Sequence, residues 1–232
     1  MTSRTDRPLV VIGSGPGIGR HVALAFAAKR YNKVALVARN PAKLKQDQEA
    51  VEAVVPGKLT VKTYSANIND GQQLSDVLVQ IEHDLGTPET VFYNAAQVVP
   101  SKLLEVEEDY MVQEFKTTCT GVHVAAKWGI PLLQKLGETD PNSRPTFLVT
   151  SSLLPADPIP DLFVLSMVKA AQKNMVQSMA KTWGHEIHIG VLTVGGVVDP
   201  SFETLNPLNI ASQAWKWFDQ PKGQQTFEME IL

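Results

Sequence analysis

A strand-like run, Leu9-Val10-Val11-Ile12, passes directly into glycines at 13, 15, 17 and 19, and a helical pattern from Arg20 to Lys29 follows. A strand, a turn poor in side chains and a helix N-terminus together make an anion site. Glycine lets the backbone approach a pyrophosphate, and the unpaired N–H groups of the first helical turn point at it. The context required of a dinucleotide-binding fingerprint, strand before and helix after, is met here. Gly13, Ser14, Gly15, Gly17, Ile18 and Gly19 are therefore the expected cofactor-binding turn, and a dinucleotide is the expected ligand.

Composition narrows the partners. Of 232 residues, 44% are hydrophobic and 19% charged, which suits one globular domain with a sizeable core. A net charge of −3 without a long basic run argues against nucleic acid or an anionic membrane surface. No apolar run is long enough to span a bilayer. The single cysteine, Cys119, excludes an internal disulfide or a multi-thiolate metal site and reads as a small apolar helix residue. The five histidines lack metal-ligand spacing. Met1 to Arg7 are polar, without the apolar stretch of a secretory signal. They read as a disordered lead-in to a domain over 8–232, in a reducing, cytoplasmic compartment.

Strand-like and helix-like segments alternate to the end of the chain, the pattern of a parallel sheet covered by helices. Strands are expected near 9–13, 33–38, 59–65, 90–94, 146–151, 188–194 and 226–231. Helices are expected near 17–30, 41–54, 71–85, 107–136, 162–184 and 207–218. Asp70 and Ser101 read as helix starts, and Pro41 and Pro207 suit first helical turns. The fold expected is an α/β, three-layer, doubly wound Rossmann domain. In such a sheet the proline-rich run Pro155 to Pro160 follows a strand at the carboxyl edge, where ligands sit, and reads as a site wall.

The second strand ends in Ala38-Arg39-Asn40, about twenty residues beyond the glycine turn, where an acidic residue would bind the ribose 2′-hydroxyl of NAD. No carboxylate stands there to repel a 2′-phosphate, and Arg39 offers a fork of donors to one. NADP is favoured over NAD.

These residues resemble the short-chain dehydrogenase/reductase family over nearly the whole chain. Gly13, Gly17 and Gly19 match its glycine motif. Asn94-Ala95-Ala96 is similar to its Asn-Ala-Gly turn, and Asn67-Ile68 to the Asp-Val beside the adenine. Thr150-Ser151-Ser152 is similar to the strand end that carries the family's catalytic serine. Lys169 matches the lysine of Tyr-x-x-x-Lys, and Gly195-Gly196-Val197-Val198 stands where a Pro-Gly turn faces the nicotinamide. The resemblance implies Ser152 and Lys169 as catalytic residues. It also implies Asn67, Ile68, Asn94, Ala95, Lys169, Gly196 and Val198 as cofactor contacts. Members that resemble this chain more closely share the Gly-Pro-Gly-Ile-Gly turn, a stretch like Gln177-Ser178-Met179-Ala180-Lys181 and a short link like Asp199 to Asn206. The short link implies an open or partner-completed pocket.

The departure is central. Four residues before Lys169 the family has tyrosine and this chain has Leu165; Tyr31, Tyr64, Tyr93 and Tyr110 all lie elsewhere in the sequence. Thr118 replaces the asparagine that holds a relay water. A phenol beside an ammonium serves as acid and base near neutral pH, and its loss costs on the order of 10² to 10⁴ in rate. Hydride transfer by the usual route should be severely impaired or absent. Asp157 and Asp161 are candidate replacement acids, or turn formers; Ser166 is expected to point away.

Three readings stay open. The first is an atypical NADP-dependent oxidoreductase acting on a small, apolar carbonyl or alcohol, with Ser152, Lys169 and water or a substrate-borne acid. The second is a non-redox isomerase or cyclase that uses the cofactor as scaffold. The third is an NADP-binding pseudoenzyme. Val98, Val99, Leu153, Leu154 and Val197 make the expected pocket walls apolar. By resemblance the two long helices pair subunits into a homodimer or homotetramer, with Trp128, Met175 and Met179 as candidate seam residues.

Overall fold

Leu9, Val10, Val11 and Ile12 are all fully buried, so the first strand carries apolar side chains on both faces and has to be central, between two layers of helices. The computed structural model describes residues 4–232 and shows this arrangement. Strands β1 (Thr5–Ile12), β2 (Tyr31–Ala38), β3 (Thr60–Ser65), β4 (Thr90–Tyr93), β5 (Thr146–Ser152), β6 (His188–Val194) and β7 (Glu228–Ile231) form one parallel sheet. Their order is β3-β2-β1-β4-β5-β6-β7. The order reverses between β1 and β4, and the crevice outside their carboxyl ends is where such sheets bind ligands.

Alternate side chains divide the core into two. Val10, Ile12, Tyr93 and Val149 face α3 (Gly71–Leu85), α5 (Gly121–Thr139) and α6 (Phe163–Trp183). Leu9, Val11, Phe92 and Leu148 face α1 (Ile18–Lys29), α2 (Pro41–Glu52) and α7 (Pro207–Phe218). On that second side Trp215 meets Phe26 edge-on at 5.2 Å. Asn40, Asp70 and Asn206 cap α2, α3 and α7 with side-chain oxygens, which explains where those helices begin.

Three expectations are corrected. The lead-in is structured from Arg4 on: β1 starts at Thr5, and the Arg4 guanidinium reaches the Tyr31 carbonyl at 3.1 Å. Met1 to Ser3 lie outside the described residues. Ser101 starts no helix of its own. It bridges to Leu162, and its hydroxyl accepts from Val164 N at 3.0 Å, so it caps α6 from a distant part of the chain. The helix expected over 107–136 runs as α4 (Glu108–Phe115), a π-helical turn (Lys116–Thr120) and then α5.

That turn admits one residue too many for the α-helical ladder, and such bulges recur at functional sites. Two of its carbonyls take side-chain donors instead: Thr117 from the Tyr93 hydroxyl, Thr118 from Gln172 Nε2. Gly121 makes the first possible, because a Cβ there would overlap the Tyr93 hydroxyl. Gly121→Ala gains about 1 kcal/mol of helix propensity but loses about 1–3 kcal/mol to overpacking. Urea denaturation should show net destabilisation, smaller on a Tyr93→Phe background where the obstructing oxygen is gone.

Candidate functional site

The four glycines of the first turn divide by what a side chain would meet. At Gly13, with φ +93°, a Cβ would press on the Ala95 backbone, and at Gly19 on the Gly13 carbonyl. These two let the β1–α1 turn lie against the β4 loop. At Gly15 and Gly17 a Cβ would meet nothing within 4 Å. They leave an open surface without side chains at the N-terminus of α1.

The turn is held from two sides. Asn94 Nδ2 donates to the Gly13 carbonyl at 3.0 Å, and Asn94 Oδ1 accepts from the Thr150 hydroxyl at 2.8 Å. Behind the turn, the fully buried Asp47 accepts from the Ser14 hydroxyl at 2.6 Å and from Arg20 Nε at 2.5 Å. Ser14 is expected among the cofactor contacts, but its hydroxyl is engaged by Asp47 and its N–H by the Val37 carbonyl at 3.0 Å. The sequence pattern does not reveal Asp47, because an acidic residue mid-helix reads as solvated surface until the turn folds over it.

A cleft of about 190 Å³ opens beside the turn. Of the expected contacts it gathers Gly13, Ser14, Arg39, Ile68, Asn94 and Ala95; it adds Asn69, Gln97 and Thr117, which sequence reasoning missed. Arg39 is exposed, and its guanidinium makes no hydrogen bond among the described residues. The charge that feels it is Glu114, whose buried carboxyl has no hydrogen-bond partner and is pushed up by burial, with Arg39 acting against that. Asn67 stays outside the cleft, exposed, with its N–H bonded to Gln73 Oε1 at 3.2 Å. Gly196 and Val198 lie in the loop after β6, where Val198 packs against the core.

Lys169 is buried, and its Nζ donates to the Thr150 carbonyl at 2.7 Å and to Gln172 Oε1 at 3.0 Å. Burial lowers its pKa to about 8, with Cys119 opposing. Ser152 is half-buried at the end of β5, and its hydroxyl oxygen accepts from Leu154 N at 3.3 Å. Leu165 closes an apolar cluster with Cys119, Leu154, Val164 and Val168. Leu154 therefore belongs to the interior, while Val98, Val99, Leu153 and Val197 are exposed around the carboxyl edge. Asp157 and Asp161 are exposed, and Ser166 donates to the Leu162 carbonyl at 2.9 Å, turned away as expected. The Thr118 hydroxyl is buried without a partner. No cluster of three or more His, Cys, Asp or Glu suited to a metal occurs among the described residues.

Residues 8–207 match the profile of the short chain dehydrogenase family. The chain belongs to that family. An uncharacterized oxidoreductase of Staphylococcus aureus is 22% identical, over 100% of this chain and 99% of its own length. A PIGF/3-ketodihydrosphingosine reductase fusion protein of Schizosaccharomyces pombe is 24% identical over 86% of this chain, which spans 40% of that larger protein. Two solved structures share the fold. An alcohol dehydrogenase of Thermococcus sibiricus, complexed with 5-hydroxy-NADP, has 20% identity and a TM-score of 0.85, covering 97% of this chain and 95% of that one. An NADPH-bound short chain oxidoreductase of Pseudomonas aeruginosa, described as containing an atypical catalytic center, has 20% identity and a TM-score of 0.83, covering 100% and 97%.

The short-chain dehydrogenase turn depends on Asp47. Asp47→Ala leaves two half-buried donors without their shared acceptor, at a cost of about 1–3 kcal/mol. Chemical denaturation should show that loss, together with faster amide exchange across residues 13–20.

Proposed function

We propose that this short-chain dehydrogenase is an atypical NADP-dependent oxidoreductase acting on a small, apolar carbonyl or alcohol. The observation that carries the reading is that the glycine turn, through Gly13 and Ser14, and the exposed Arg39 line one cleft. The NADP and NADPH complexes among structures of the same fold support it. Bound NADPH would supply a hydride. Arg39 would clasp the 2′-phosphate with two parallel donors, and the α1 N-terminus would face the pyrophosphate. Lys169 has two of its three N–H groups committed, so one remains for a ribose hydroxyl. Ser152 would donate to the substrate carbonyl as charge develops on its oxygen. Exposed Val98, Val99 and Val197 favour an apolar substrate.

Leu165 supports the second, non-redox reading, an isomerase, cyclase or pseudoenzyme that keeps the cofactor as scaffold. Its side chain neither donates nor accepts a proton, and it lies in an apolar cluster. An exposed apolar set on α4 and α6, Val112, Phe115 and Met167, fits the homodimer or homotetramer expected by resemblance. The seam residues first expected do not: Trp128 and Met175 pack on the chain's own core, and Met179 is buried in it.

Calorimetric titration decides the cofactor. NADPH should bind more tightly than NADH, and Arg39→Ala should weaken NADPH by about 10- to 100-fold, as expected for a charge-assisted fork, with little effect on NADH. Equal affinities in the wild type would remove the NADP assignment.

Leu165→Tyr places a phenol one helical turn before Lys169. If the remaining site is a reductase site, NADPH oxidation against a panel of apolar aldehydes and ketones should rise by about 10² to 10⁴. Tight cofactor binding with no turnover in either form would favour the scaffold reading.

A further inference from the structure

Gln172 is fully buried on α6, three residues beyond Lys169. Polar side chains in that position have to find partners, and this one finds two of different kinds. Its carbonyl oxygen accepts from Lys169 Nζ at 3.0 Å, and its amide donates to the Thr118 carbonyl at 2.7 Å. The Thr118 carbonyl is presented by the π-helical turn. A primary amide is the side chain that can satisfy both at once, since it joins an acceptor and a donor in one rigid plane. The Lys169 ammonium is thereby fixed between the end of β5, through the Thr150 carbonyl at 2.7 Å, and the π-helical turn.

We propose that Gln172 is a positioning residue for Lys169: its amide links the ammonium to the π-helical turn directly, where a water would otherwise be needed, and directs the one uncommitted N–H of Lys169 towards the cofactor site. The ligand met by that N–H rests on the cofactor reading above; the hold of Gln172 on Lys169 does not. Lys169 then acts as a fixed charge, with the Gln172 amide as its link to the π-helical turn. This deepens the consequence of Leu165, because the lysine lacks a phenol one turn before it and is held on its other side by a group that does not titrate.

The charge state follows from the surroundings. Burial holds Lys169 at about 8 against its ordinary 10.5, so its charge is present below that pH and is lost as pH rises through it. Cys119, on the π-helical turn, is the titratable group acting on it, a thiol pushed up to about 11 and so neutral over this range. Lys173, one turn further along α6, is paired with Glu228 at 2.6 Å.

The test is an NMR titration of the whole protein carrying ¹³C-labelled lysine, with the Lys169 signal identified by Lys169→Arg. Wild type is compared with Gln172→Met and Gln172→Glu. Methionine keeps the length and bulk but removes the acceptor; glutamate keeps an acceptor and adds a negative charge. Both lose the donor to Thr118, so that loss cancels between them. The Lys169 midpoint should fall in Gln172→Met and rise in Gln172→Glu, by about one unit each. NADPH affinity should weaken about tenfold per pH unit above each midpoint. Equal midpoints in the three proteins, or shifts of the same sign in both variants, overturn the proposal. If Gln172→Met does not fold, a rise in Gln172→Glu over wild type supports it and no rise overturns it. A wild type that binds no NADPH overturns the cofactor reading, and the NMR midpoints still judge Gln172.

Discussion

Two backbones approach so closely at the switch between β1 and β4 that neither can carry a side chain between them. Gly13 turns with φ +93° against the backbone of Ala95, and Gly19 closes the other side against the Gly13 carbonyl. Once those segments touch, Asn94 comes within reach of both the turn and Thr150, whose carbonyl then receives Lys169. Glycine loop, β4 loop, β5 and α6 are joined in one chain of hydrogen bonds, and Gln172 extends it into the π-helical turn. Such a chain behaves cooperatively in a low-dielectric interior, so each member holds its neighbours' geometry as well as its own.

Buried carboxylates mark how differently the parts of the cleft are finished. Asp47 is saturated by Ser14 and Arg20, and Glu89 takes a bidentate Arg30 with both contacts at 2.7 Å. Both fix structure. Glu114 is equally buried but has no hydrogen-bond partner, and burial favours its neutral form.

The fold was legible because its signals are local and repeated. The run from Leu9 to Ile12, the cap Asp70, and Pro41 and Pro207 each say one thing, and together they place helices α2, α3 and α7 closely. The glycine turn and Arg39 were legible for the same reason. What escaped depends on pairs distant in sequence. Ser101 has the chemistry of a helix cap, but its partner is 63 residues away. Asp47 meets Ser14 across 33 residues, and Tyr93 meets the π-helical turn only because Gly121, on another element, leaves room. Helical periodicity cannot signal a one-residue expansion inside an otherwise regular pattern, so the bulge that presents Thr118 was invisible until folded.

The distant cap at Ser101 has a mechanical consequence. Its N–H bonds the Asp161 carbonyl, its own carbonyl receives Phe163 N, and its hydroxyl receives Val164 N. Three bonds thus rivet the segment after β4 to the proline-rich segment before α6, so that displacing either loop at the carboxyl edge strains the other. The short stretch from Asp199 to Asn206 carries no comparable rivet to them among the described residues, its hydrogen bonds being local.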